Sequence, residues 1–254
     1  MHSPERGMMR NIKLILEYDG SDYHGWQSQA GSGHKTIQDT LEQTITSLTN
    51  GKSTVYSSGR TDAGVHALGH AANFSVQSRM PPEAWAPALN HLLPHDIRVL
   101  SSEEVPEDFH ARFSAQGKLY TYRILNRSEP TALFRKYVWH VNAHLNVRNM
   151  ELAVSGLVGK HDFSAFRGSG CSARNPVRTL RSALIRTTGE FIEIDLEADA
   201  FLQYMVRNIV GTLVEVGLGR FTPEDVKRML MSCDRTTAGR TAPPHGLYLV
   251  KVFY

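Results

Sequence analysis

The run Ser58-Gly59-Arg60-Thr61-Asp62-Ala63-Gly64-Val65-His66-Ala67 gathers residue types from which a reaction could be built. Glycines on both sides of Asp62 let the backbone turn tightly and come close to a ligand. No second carboxylate neighbours Asp62, so a dyad sharing one proton would need a distant partner. Arg60 stands two positions before it, and Arg207 could reach in from the other half of the chain. A nearby guanidinium keeps a carboxyl ionised. An ionised, oriented carboxylate suits nucleophilic or electrostatic work and not proton donation. The same residues also fit a plainer arrangement, a turn in which Asp62 caps its own backbone and Arg60 pairs with it.

Other chemistries lack their motifs. There is no GxxxxGK followed by Ser or Thr, and neither Gly31-Ser32-Gly33 nor Gly168-Ser169-Gly170 completes GxGxxG, so neither ATP nor NAD is expected. A Gly-x-Ser-x-Gly elbow is missing, which counts against an α/β-hydrolase. His66 and His70 have i, i+4 spacing, but no glutamate follows His66 and Gly69 interrupts any helix, so no metal is expected. Two cysteines, Cys171 and Cys233, stand far apart without CxxC spacing. That excludes disulfide frameworks, thiolate zinc and iron-sulfur clusters, and fits a reducing cytoplasm.

Positioning these residues falls to a regular series of elements. Ile12, Leu14, Leu16 and Tyr18 alternate as a strand. Thr36 and Asp39 predict a capping box for a helix with Ile37, Leu41, Ile45 and Leu48 as its apolar stripe, closed by Asn50-Gly51. Strands are expected at Ser53–Ser58, Ala72–Val76 and Ile97–Glu104, with a short helix at Pro87–Leu93 carrying proline in its first turn. The second half repeats the order with one extra helix. A strand is expected at Leu119–Leu125, a helix at Val147–Val158, and strands at Leu180–Thr187 and Phe191–Ala198. The clearest helix follows, with Leu202, Met205, Val206, Ile209, Val210, Leu213 and Val216 at helical spacing and Gly219 as its stop. Thr222-Pro223-Glu224-Asp225 caps another helix, and Leu247–Phe253 supplies the last strand. Arg207 falls off the centre of its helix's apolar stripe, so it need not be buried in the core.

The fold expected is α+β: two ferredoxin-like βαββαβ halves with antiparallel sheets, helices on one side, and an active-site cleft between the halves. That leaves the opposite face of each sheet available. We expect an N-terminal tail over 1–10, an N-terminal α+β domain over 11–106 carrying the Asp62 loop, and a C-terminal basic α+β domain over 107–254. Met1 to Arg10 carries charge and proline without an apolar stretch, so neither signal peptide nor anchor is expected. Across the 254 residues no run approaches the ~18 apolar residues of a membrane span.

The net charge of +3 says little, but its distribution says more. Residues 109–189 carry thirteen Lys and Arg against three Asp and Glu, and the remainder is net acidic. Arginines outnumber lysines twenty to eight, and the planar guanidinium suits phosphate contacts and base stacking. Phe163–Gly189 holds Arg167, Arg174, Arg178, Arg181 and Arg186 and no acid. This fits either a solvated basic face or a polyphosphate partner such as RNA, whose binding would weaken steeply with salt. Tyr120 shares a strand face with Tyr122 and Ile124, where its ring either stacks on a base or packs as a cross-strand core aromatic.

The Ser58–Ala67 run closely resembles the central motif of the tRNA pseudouridine synthase A family. The resemblance continues through Tyr18-Asp19-Gly20, Trp26-Gln27, Phe109-His110-Ala111-Arg112-Phe113-Ser114-Ala115, Lys118-Leu119-Tyr120-Thr121-Tyr122 and Met205-Val206-Arg207-Asn208-Ile209-Val210-Gly211. It implies an isomerase that converts uridine to pseudouridine at positions 38, 39 and 40 in the anticodon stem-loop of tRNA. It maps the catalytic aspartate onto Asp62, the base-stacking tyrosine onto Tyr120, and two active-site arginines onto Arg60 and Arg207. It also implies a homodimer whose tRNA contacts both subunits, and no cofactor. The target base must be extruded at a cost of a few kcal/mol, which a stacked ring offsets by about 1–3 kcal/mol. Arg60 fits either the gap left by the base or an adjacent phosphate, and Arg207 fits an ion pair that orients Asp62. Asp62 could attack C6 of the uracil, attack C1′ of the ribose, or deprotonate the sugar to give a glycal. Two rivals remain: a non-catalytic RNA-binding ferredoxin-like module, without an evident RNP1 pattern, and a retaining glycosidase, without a candidate second carboxylate.

Overall fold

The computed structural model describes residues 9–29, 31 and 33–254, and the chain divides into two compact units. One comprises the described residues up to Ala115 together with Leu249–Tyr254; the other is Gln116–Tyr248. Pairing within each is mostly antiparallel, and helices accompany the strands of both units. Of the expected N-terminal tail, residues 1–8 lie outside the described residues, as does Ser32; Met9 and Arg10 already belong to the first strand.

The first unit runs β1 (Met9–Tyr18), α1 (Ile37–Thr49), β2 (Val55–Ser57), β3 (His66–Gln77), α2 (Trp85–Leu92) and β4 (Ile97–Val105). Its strand order is β4-β1-β3, with β2 also on β3 and the last strand of the chain, β10 (Leu247–Phe253), lying beside β3. Ile12 opposes Phe74 and Leu14 opposes Ala72 across β1 and β3. These residues are fully buried, as are Ile37, Leu41 and Ile45 of α1 and Trp85 and Leu89 of α2. The Trp85 ring meets Phe74 edge-on at 5.1 Å. At α1 the Thr36 hydroxyl accepts from the Asp39 amide at 3.2 Å, and Asn50 closes the helix in the left-handed region at φ 54°.

The opposite sheet face is not left open here. The Asn11 side-chain amide donates to the carbonyls of Pro106 and Phe109, Asn73 Oδ1 accepts from the Ala111 amide, and Lys13 lies over the rings of Phe109 and Tyr254. The polar residues of that face recruit a turn to cover them.

The second unit runs β5 (Gly117–Asn126), β6 (Trp139–Val141), α3 (Val147–Ser155), β7 (Gly159–Asp162), β8 (Val177–Thr188), β9 (Phe191–Ala198), α4 (Met205–Gly217) and α5 (Pro223–Ser232). Its strand order is β5-β9-β8-β7, antiparallel, with β6 parallel to β5. α4 is buried along nearly its whole length. A side chain at Gly217 would lie 2.8 Å from the Met150 sulfur of α3, so glycine permits that close helix contact. The full capping box forms at α5, with reciprocal bonds between Thr222 and Asp225.

Candidate active site

Residues 58–65 connect β2 to β3, and two turns of local chemistry fix their path. The Ser58 amide donates to the Ala71 carbonyl at 2.8 Å, holding the loop's start to β3. Asp62 then opens a tight turn in which the Val65 amide donates to the Asp62 carbonyl at 3.1 Å. Gly64 takes φ 77° at the third turn position, the conformation of a type II turn that a side chain would strain. Asp62 is half-buried and Arg60 is exposed, so one loop brings these two expected residues together.

A second segment, residues 18–26, clamps that loop. The Trp26 amide donates to the Thr61 carbonyl at 3.1 Å and the Gly64 amide to the Tyr23 carbonyl at 3.3 Å. The Tyr18 hydroxyl lies 2.7 Å from Thr61 Oγ1 and 3.0 Å from His70 Nδ1. Trp26 stacks on the His70 ring at 4.1 Å. Two glycines make the approach possible: a Cβ at Gly20 would lie 2.0 Å from the Val65 carbonyl oxygen, and one at Gly25 2.4 Å from that of Thr61. His66 Nδ1 sits 3.2 Å from both the Gly20 amide and Asp19 Oδ1. His66 and His70 thus brace the loop from beneath, both buried. Among the described residues no group of three His, Cys, Asp or Glu side chains is placed to hold a metal.

Tyr120 and Arg207 belong to the second unit. Tyr120 opposes Leu196 across β5 and β9, is 8% exposed, and meets Phe201 edge-on at 5.1 Å. Tyr122 is fully buried and its hydroxyl donates to the Pro243 carbonyl at 2.7 Å. Burial pushes the Tyr122 phenol far up, against the opposing pull of Arg207 and Arg240, so it stays protonated as that donor.

Arg207 lies in the first turn of α4 and is half-buried. Its Nε donates to the Ala242 carbonyl at 2.8 Å, and the Ala242 amide returns a bond to the Arg207 carbonyl at 3.0 Å. A side chain at Gly211 would lie 1.7 Å from the Arg240 carbonyl oxygen, so this glycine lets residues 240–242 pack against α4. The next residue, Asn208, is fully buried; it donates to the Phe166 carbonyl and accepts from Arg235 and Thr241. The Met205–Gly211 motif is therefore a packed helix start whose arginine is tied to residues 240–242.

Sequence reasoning misses Tyr204. It precedes α4 in the left-handed region at φ 62°, and the Arg207 guanidinium lies 5.0 Å from its ring centre. A Cβ at Gly168 would meet the Tyr204 ring at 2.5 Å. Tyrosine carries no preference for that backbone region; the one available signal is Gly168, within a run that reads only as a loop.

A family model described as tRNA pseudouridine synthase matches residues 14–114 and 153–254. Over 246 residues, 97% of this chain and the whole of the relative, the sequence is 48% identical to the tRNA pseudouridine synthase A of Acetivibrio thermocellus. With the same coverage it is 49% identical to the tRNA pseudouridine synthase A 2 of Clostridium perfringens and 45% identical to the tRNA pseudouridine synthase A of Geotalea uraniireducens.

Proposed function

The chain belongs to the tRNA pseudouridine synthase A family, an isomerase family, and from that premise we propose that it converts uridine to pseudouridine at positions 38, 39 and 40 of the tRNA anticodon stem-loop, with Asp62 as nucleophile. The observation that carries this reading is the clamped loop of residues 58–65, which holds one half-buried carboxylate on a rigid turn beside an exposed arginine. Misplacing a reacting group by an ångström costs about a hundredfold in rate. The clamp prevents that displacement.

The reaction breaks the N1–C1′ bond, rotates the uracil and joins C5 to C1′. The proton leaves C5 for solvent and N1 regains one, so atoms balance and no electrons are lost. Such a reaction calls for no redox carrier, phosphoryl donor or metal. Asp62 supplies the nucleophile or base in each of the three routes open to it. We assign Tyr120 to stacking on the extruded uracil and Arg60 and Arg207 to the roles of active-site arginines. Each unit reads as ferredoxin-like, the first on its βαββαβ order and β4-β1-β3 pairing. We further propose a cytoplasmic homodimer; among the described residues no helix is long and apolar enough to cross a membrane.

The test follows tritium release when the purified protein meets tRNA labelled at uridine C5, with pseudouridine mapped in tRNA from cells lacking the protein. Release at positions 38–40, and loss of pseudouridine there in those cells, is expected. Intact label, or free uracil in place of pseudouridine, would refute the assignment.

A further inference from the structure

The segment Phe109-His110-Ala111-Arg112-Phe113-Ser114-Ala115 takes no part in the loop's clamp, yet it is built with care. Its backbone is tied down at several points. The Ser114 amide donates to the His110 carbonyl at 2.9 Å, the His110 amide to Ser114 Oγ at 3.1 Å, and the Arg112 amide to His110 Nδ1 at 3.1 Å. Asn73 accepts from the Ala111 amide at 2.8 Å, and the Tyr254 hydroxyl donates to the Ala111 carbonyl at 2.8 Å. On this fixed base Phe113 stands 77% exposed. Burial of apolar surface does not explain a large ring held outward.

The exposed ring is one of a row. Phe113 lies 4.4 Å from His110, His110 lies 5.0 Å from Tyr56, and Tyr56 is itself 45% exposed. The Arg112 guanidinium sits 5.6 Å from the Phe113 ring centre. Tyr56 opposes Asn73 across β2 and β3, and the bond from Ala111 to the Asn73 side chain is what sets His110 against Tyr56. Aromatic faces with a flanking arginine are what unpaired bases stack on. Glu107 and Asp108 just before the turn disfavour a phosphate there and leave the uncharged base as the fitting ligand. Tyr56 precedes Asp62 by six positions, at most about 20 Å of extended chain, so one folded RNA hairpin can reach both.

We propose that Tyr56, His110, Arg112 and Phe113 form a stacking platform for an unpaired base of the tRNA, outside the reacting base's own site. The assignment rests on the reading of the chain as a tRNA enzyme. The backbone that carries the platform is already hydrogen-bonded in place, so the stacked base costs little ordering of that backbone.

The test compares Phe113→Ala, Phe113→Leu and Phe113→Trp for tRNA affinity, KM, kcat and sedimentation, with thermal melting as a check on folding. Loss of one stacked base weakens binding roughly fivefold to a hundredfold. Phe113→Ala and Phe113→Leu should show that loss, chiefly in KM and affinity, while Phe113→Trp restores binding. Three results would overturn the platform: wild-type affinity in Phe113→Ala, rescue by leucine as good as by tryptophan, or a change of oligomeric state that assigns the ring to a second copy. If wild-type protein releases no tritium while the affinity pattern holds, the enzymatic reading fails and the platform stands. If it releases tritium while Phe113→Ala binds normally, only the platform fails.

Discussion

Arg60, Tyr120 and Arg207 have the same standing in the sequence and different settings in the molecule, and their substitutions separate accordingly. Arg60 is exposed, so Arg60→Ala should leave the melting temperature nearly unchanged, as surface substitutions do, while turnover drops about a hundredfold. A matching loss of stability would assign Arg60 to the fold. Tyr120 is 8% exposed against Phe201, and truncating a buried aromatic costs about 3–5 kcal/mol. Tyr120→Phe keeps the stacking ring and should bind tRNA and melt closer to wild type than Tyr120→Ala, which loses both the stacking ring and its buried packing. Arg207 spends its Nε on the Ala242 carbonyl. Lysine cannot reproduce that fork, so Arg207→Lys should slow single-turnover rates at least tenfold with tRNA affinity little altered. Equal losses in rate and affinity would mark it as a binding residue. That Asp62 and Arg60 share one turning loop was legible because the glycines beside them announce a turn. Tyr204 was illegible because a left-handed tyrosine leaves no trace in composition.

Elements with strong end signals were read closely. β9 and β10 have the expected bounds, and α1 starts and stops at Thr36 and Asn50 as its caps require. β6 and β7, of three and four residues, have too little length for alternation to register. β3 begins at His66, six positions before the expected start, and runs through Gly69. In the structure that glycine answers the backbone of β10: a Cβ there would lie 2.4 Å from the Val250 carbonyl oxygen. α4 begins at Met205 and not at Leu202, since the left-handed Tyr204 stops the helix. The clamp on the Asp62 loop joins segments some forty residues apart and could not be read from either alone. Its dependence on glycine gives a direct test. Gly25→Ala, at φ 85° and against the Thr61 carbonyl, should cut turnover at least a hundredfold beyond any fall in tRNA affinity. Full turnover in a folded Gly25→Ala protein would show that the loop needs no clamp.

For the whole molecule, the sequence count overstates the basic charge open to RNA. Arg123 and Arg186 pair with Glu193, Arg186 also with Asp195, Arg181 with Glu197, and Arg127 with Glu190. All four partners lie on or next to β9, beyond or at the edge of the acid-poor stretch, so sheet pairing neutralises what linear counting leaves positive. The logarithm of tRNA affinity should therefore fall with log salt at a slope well short of the roughly −9 to −12 that thirteen phosphate contacts give. A slope in that range would mean that these ion pairs open for RNA. Binding alone does not distinguish an enzyme from an RNA-binding module; turnover does. The decisive measurement sets Asp62→Asn beside wild type, following tRNA affinity and tritium release from C5-labelled uridine together. Near-normal affinity with release abolished is the predicted result, and turnover at the wild-type rate in the folded variant would contradict it.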